Sequence, residues 1–183
     1  FPQLYLDKLV PLTEAEKGEI ENNVKAAINK LKRFQLANGG MTYWPGSNDP
    51  SAWGTTYAGH FLIEAQARGY VVPKTMLNNW KQYQTNAANR WRQSSSSDKH
   101  AHATEHQQAY RLYTLALAKN PALGAMNRLR QKSNISVTAR WRLAAAYQLI
   151  GKSHIAKSIT SGLSKTPASN RYYYWTYGSL DRN

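Results

Sequence analysis

The chain has 183 residues, 42% of them apolar, and no run of apolar residues long enough to cross a bilayer as a helix, so one globular domain with a sizeable core is expected, outside the membrane. It has no cysteine, which excludes disulfides, thiolate nucleophiles and cysteine-based zinc sites within the segment. The formal net charge of +14 invites a polyanion reading, but the basic residues are scattered along the chain without a nucleic-acid motif, so a solvated basic surface is expected and no nucleic-acid partner.

Helix signals dominate in chain order. Thr13-Glu14-Ala15-Glu16 has the form of a capping box. It opens a first helix whose apolar residues Ile20, Val24, Ala27, Ile28, Leu31 and Phe34 share one face, and Gly39-Gly40 is expected to stop it. An extended aromatic stretch, Met41 to Gly46, follows. Ser51 caps a second helix running to Gly69, apolar nearly all round through Trp53, Tyr57, Ala58, Phe61, Leu62, Ile63 and Ala65. Pro73 opens a third, amphipathic helix with the stripe Leu77, Trp80, Tyr83, Ala87 and Trp91. Ser94 to Ser97 form a low-complexity loop, and Thr104 caps a fourth helix, apolar on most faces from Ala109 to Leu117. A short fifth helix follows Pro121, with Leu123, Met126 and Leu129 on one side. The sixth, Ser136 to Ile150, is apolar on most sides, and Gly151 ends it. The seventh carries Ile155, Ile159 and Leu163, before a tyrosine-rich tail at Tyr172 to Gly178.

Helices one, three, five and seven thus read as outer, two, four and six as inner. Such alternation predicts stacked antiparallel helix pairs, with an inner wall and an outer layer: an all-α fold, an α/α toroid in partial ring, spanning residues 1–183 as a single domain.

Several residue groups bear chemistry. His100, His102 and His106, with Glu105, are the densest polar cluster and could ligate zinc, copper or nickel; without a His-Glu-x-x-His pattern, an exposed polar loop is the expectation, and no metal or cofactor is assigned. His60, beside Phe61, is expected to be a satisfied inner-layer histidine. Asp49 and Glu64 are the plausible carboxylate pair for glycosidase chemistry, and helical register does not require them to meet. Trp44, Trp53, Trp80, Trp91 and Trp141 could line a sugar groove, but their spacing favours core packing. Asn134-Ile135-Ser136 matches a short glycosylation pattern.

The strings Gly39-Gly40-Met41-Thr42-Tyr43-Trp44-Pro45-Gly46 and Trp53-Gly54-Thr55-Thr56-Tyr57-Ala58-Gly59-His60-Phe61-Leu62 resemble the bacterial alpha-2-macroglobulins, in the domain that carries the thioester. Further similar strings follow in order: Gly69 to Pro73, Gln108 to Ala118, Gly124 to Leu129, and Thr176 to Asn183. The resemblance implies an α/α toroid and a function in protease trapping: a Cys–Gln thioester, exposed after cleavage elsewhere in a long chain, acylates the protease. The family's Cys-x-Glu-Gln motif would sit just before a segment like Phe1 to Leu6, so this chain is expected to be a fragment without it, a non-catalytic part of the domain and not an enzyme. Some relatives place a histidine near the thioester on the approach to an inner helix, which makes His100 or His102 the thioester-adjacent candidate. The implied partners are target proteases, through the full-length parent, and the parent's other domains; the implied setting is the periplasm or cell envelope, with no direct membrane insertion. A competing reading is an α/α-toroid carbohydrate enzyme for acidic glycans, with histidine, tyrosine and arginine converging in a cleft at one end of the inner helices.

Overall fold

The structure, a computed structural model, describes residues 1–92, 101–133 and 135–163; for residues 101–103 it describes the backbone alone. The Ser94 to Ser97 loop, His100, Asn134 and the tyrosine-rich tail lie outside the described residues. The described elements are a short 3-10 helix, Pro2–Lys8, then α1 (Glu14–Leu31), α2 (Ala52–Ala67), α3 (Lys74–Arg90), α4 (Ala101–Leu117), α5 (Leu123–Arg130), α6 (Val137–Leu149) and α7 (Ser153–Thr160).

Of the three side-chain caps read from the sequence, Thr13 and Ser51 are made and Thr104 is not; Ser136 adds one that was not read. Thr13 Oγ1 accepts from the Glu16 amide while the Glu16 carboxylate accepts from the Thr13 amide. Ser51 and Ser136 each accept, through Oγ, from the amide three residues on, Gly54 and Ala139. Three boundaries differ from expectation. α1 ends at Leu31, short of Gly39-Gly40, because residues 34–42 turn back on themselves: the Thr42 amide donates to the Phe34 carbonyl, and Gln35 bridges Met41. A continued helix would spend those groups differently. α4 is already helical at Ala101, so Thr104 lies inside it and does not cap it. The 3-10 helix, packed against α1, has no apolar repeat of its own; it is held by Leu4, which is 2% exposed.

The α/α-toroid arrangement follows from which helices touch. α4 packs between α2 and α6, forming the inner wall; α3 leans on α2 and α4, α5 on α4 and α6, α1 on α2, and α7 on α6. Phe61, Leu62, Leu112, Leu115, Leu143 and Tyr147 fill the wall. α2 and α3 approach closely at Gly59, where a Cβ would sit 1.9 Å from the Trp80 ring. Trp80 is wholly buried there and its indole N–H donates to the Thr55 carbonyl at 2.7 Å. Gly39, at φ 90, lets the preceding turn sit against the α3 backbone at Asn79.

The amphipathic stripes hold with shifts of one position. α3 buries Met76, Leu77, Trp80, Gln84 and Ala88, where Tyr83 and Ala87 had been expected. In α5 the buried face is Ala125, Met126 and Leu129, leaving Leu123 40% exposed. α6 is less enclosed than its composition suggests: Val137, Trp141 and Leu149 form an exposed side.

Candidate functional site

The polar residues that meet at the inner wall do so around His60. Helical register puts His60 and Glu64 one turn apart on α2, 3.5 Å between Nε2 and Oε1. The other ring nitrogen, Nδ1, is 2.9 Å from the hydroxyl of Tyr110 on α4. Tyr5, on the 3-10 helix, donates its hydroxyl to the second Glu64 oxygen. Arg142, on α6, lies over the Tyr110 ring at 4.8 Å from its centroid. Rings close the assembly: Phe1 meets His60 edge-on at 4.8 Å and Tyr57 at 5.0 Å, and Tyr113 meets His60 at 5.7 Å. All three inner helices therefore contribute to one cluster.

Its electrostatics favour neutral groups. Burial pushes the His60 imidazole below its ordinary 6.5, and Arg142 adds to this, outweighing the pull of Glu64. The Tyr5 hydroxyl is pushed up to about 12, chiefly because its proton is held by the Glu64 carboxylate. Both nitrogens of His60 face a partner, as expected for a satisfied inner-layer histidine. Chemically this is a proton-holding lock between elements. The glycan reading requires histidine, tyrosine and arginine in a cleft. His60, Tyr110 and Arg142 do converge, but the two cavities described lie elsewhere. One, of about 720 Å³, runs between α1 and the α2–α3 link; the other, of about 310 Å³, lies beside Trp91.

The other sequence candidates are dispersed. His102 is in the first turn of α4, and its side chain is outside what is described, as is His100 altogether. His106 is half-buried with Nε2 3.1 Å from Ser136 Oγ, at the start of α6. Glu105 is buried at 1% exposure. Among the described residues no three metal-ligating side chains come together. Asp49 occupies an exposed turn, its amide bonded to Ser47, whereas Glu64 is held by Tyr5 and His60, so the carboxylate pair does not form. The tryptophans split: Trp80 is core, but Trp44, Trp53 and Trp141 are 65%, 41% and 40% exposed, against the core reading. Trp53 sits in the first turn of α2 and stacks on Tyr57 at 4.9 Å.

Sequence reasoning missed Tyr5, Tyr110, Tyr113 and Arg142. The i, i+4 spacing of His60 and Glu64 was the available signal; that Tyr110 would face them depends on the register of α4 against α2, which no local pattern carries.

Compared with known proteins, the chain matches no family model. It is 26% identical over 164 residues to an alpha-2-macroglobulin of Pasteurella multocida, covering 85% of this chain and 9% of the relative. It is 31% identical over 84 residues to an alpha-2-macroglobulin of Rickettsia conorii, covering 45% of this chain and 4% of the relative. The chain thus spans less than a tenth of these curated relatives. Among solved structures, Salmonella alpha-2-macroglobulin reacted with methylamine superposes with a TM-score of 0.77 at 24% identity, over 97% of this chain and 12% of that one. Native Escherichia coli alpha-2-macroglobulin, from domain MG7 to the C-terminus, gives 0.76 at 22% identity, over 93% of this chain and 28% of that one. In sequence and in fold alike, the chain is similar to the bacterial alpha-2-macroglobulins.

Proposed function

We propose that this chain is a non-catalytic segment of the thioester domain of an alpha-2-macroglobulin-like protein that traps proteases. The observation that supports it most is a single family matched along nearly the whole chain, in sequence and in helical layout. On this reading the inner wall is scaffold. A thioester is an activated acyl group, and it survives only where water is kept from it until a nucleophile is presented. The resemblance puts the Cys-x-Glu-Gln motif just ahead of Phe1, whose ring rests on His60 and Tyr57 at the edge of the wall. Any such motif would therefore be anchored by an aromatic contact next to it in sequence.

His100, which precedes α4 in sequence, or His102, in its first turn, is the residue we assign to assist acyl transfer. The partners are target proteases and the parent's other domains, and the setting is the periplasm or cell envelope.

The test uses the full-length parent. It is treated with a protease in the presence of labelled methylamine, and its peptides are mapped by mass spectrometry. The expected result is one labelled glutamine just upstream of Phe1, blocked by prior amine treatment. An unlabelled parent whose upstream sequence lacks Cys-x-Glu-Gln would exclude thioester trapping. His100→Ala and His102→Ala variants should slow acylation of the protease; unchanged rates in both would remove these residues from the mechanism.

A further inference from the structure

The larger cavity, of about 720 Å³, is a trough between one face of α1 and the link from α2 to α3. Its α1 wall carries Lys17, Glu21, Lys25, Ile28 and Lys32, which follow one another at steps of three or four residues and so share a face. Arg68, Tyr70 and Val71 stand opposite. The lining thus holds four cations and one carboxylate. The carboxylates that meet these cations do so in solvent-facing pairs: Glu14 with Lys17, Glu21 with Lys25, and Asp7 with Arg68. Such pairs contribute about 0–1 kcal/mol, so an incoming carboxylate exchanges with them at little cost. Lys32 has no carboxylate; its ammonium donates to the neutral Asn29 amide oxygen at 2.9 Å.

The backbone of the link supplies a second, independent observation. Val71 is apolar yet 90% exposed, and its N–H and C=O make no hydrogen bond among the described residues. The positions around it are spent. The Gly69 and Tyr70 amides donate to the Gln66 and Ala65 carbonyls and end α2, while the Pro73 carbonyl accepts from Leu77 and opens α3. Val71 therefore offers a donor and an acceptor together, beside a row of cations. A phosphate polymer or a lipid headgroup matches the cations but brings few donors for the Val71 carbonyl. A peptide backbone presents N–H and C=O from one residue, as in recognition by strand addition. The rest of the lining is apolar at Ile28, 3% exposed, and at half-buried Tyr70, which suits a side chain set between carboxylates.

We propose that this trough binds an extended acidic peptide, one residue of which pairs through its backbone with Val71 while its carboxylates meet Lys25, Lys32 and Arg68. The face from Lys17 to Lys32 runs about 22 Å along α1, the length of about seven extended residues. This holds whether or not the parent carries a thioester.

The whole chain is titrated into a fluorescein-labelled, end-blocked heptapeptide of alternating glutamate and valine, and binding is read by fluorescence anisotropy. Saturable binding is expected, with a shift of the Val71 amide resonance, assigned through Val71→Ser, in the NMR spectrum. The same peptide with glutamine for glutamate, and a version N-methylated at every residue, should each bind about tenfold more weakly or not at all. Lys25→Gln/Lys32→Gln should also weaken binding about tenfold; both side chains are exposed, so the fold should persist, and single Lys32→Gln provides a milder variant. No binding of the acidic peptide, or an unmoved Val71 resonance, would overturn the proposal. Equal affinity for the N-methylated peptide, or in the double variant, would do the same. Displacement of the peptide by an oligothymidylate of equal charge, at equal concentration, would mark a general polyanion surface in place of a peptide site.

Discussion

At the scale of single residues, the His60 cluster sets two opposite pH dependences. His60 has a lower proton affinity folded than its ordinary 6.5, so the unfolded chain binds more protons near and below that pH. Its contribution to stability is therefore present above about pH 6.5 and is lost as pH falls. Lowering the pH from about 7 to about 5 should depress the Tm of the native chain more than that of His60→Gln, measured by circular dichroism; parallel losses would show that His60 is not the titrating group. Tyr5 runs the other way. Its pKa of about 12 lies above the ordinary 10.0, so its contribution is present below pH 10 and is lost as pH rises toward 12. Spectrophotometric titration should show a late tyrosinate step that disappears in Tyr5→Phe and moves to lower pH in Glu64→Gln. A different demand falls on Arg111. It is 6% exposed and bonds to no carboxylate in the contacts described, donating instead to Gln84 at 3.0 Å and Gln108 at 2.7 Å. Burial pulls its pKa down, and the two amides hold the charge between α3 and α4 by hydrogen bonds.

At the scale of elements, the tightest constraint is the α2–α3 crossing at Gly59. Any side chain there drives into the Trp80 ring, which is fully buried and fixed by its bond to Thr55. Gly59→Ala should cost about 1–3 kcal/mol as the core overpacks, despite alanine's better helix propensity; urea unfolding that reads the variant as equal or more stable would show that Trp80 has somewhere to go. Thr13→Ala removes one half of the α1 capping box and should cost about 1 kcal/mol by the same measurement. These two sites also show what the sequence could tell. Caps are local, four-residue grammar, so Thr13 and Ser51 were readable, whereas Thr104, which fits the same grammar, lies inside α4. The inner or outer character of each helix was readable because it depends on how much of the helix is apolar. The end of α1 was not, since it is decided by a turn that pairs Phe34 and Gln35 with residues beyond Gly40. The site was legible only as His60 and Glu64; Tyr5 and Arg142 reach it from 3-10 helix and α6, across separations that no periodicity encodes.

At the scale of the whole molecule, charge and core pull against each other. The chain has 24 basic and 10 acidic side chains, so fourteen positive charges have no counter-charge of their own anywhere in the sequence. Like charge of this size destabilises a compact state by self-repulsion. The ion pairs that salt could weaken are few among the described residues, and Lys17–Glu14 and Lys25–Glu21 are well exposed. Exposed pairs of this kind contribute about 0–1 kcal/mol, and they are local, so a Debye length near 10 Å at about 0.1 M salt screens long-range repulsion as well as it screens them. The stabilising term, by contrast, is the α2–α4–α6 wall, where Leu62, Leu112, Leu115 and Leu143 are wholly buried and owe nothing to ionic strength. Repulsion should therefore dominate the salt response. Raising sodium chloride from about 0.02 to about 0.3 M should raise the Tm, and the gain should saturate as the Debye length falls below the spacing of surface charges. Leu115→Ala, which opens a cavity in the wall, should lower stability by about 2–5 kcal/mol at either salt concentration, leaving the salt increment itself unchanged. A Tm that falls with added salt would place the net stabilisation in ion pairs, and the wall would then be a lesser part of what holds the helices together.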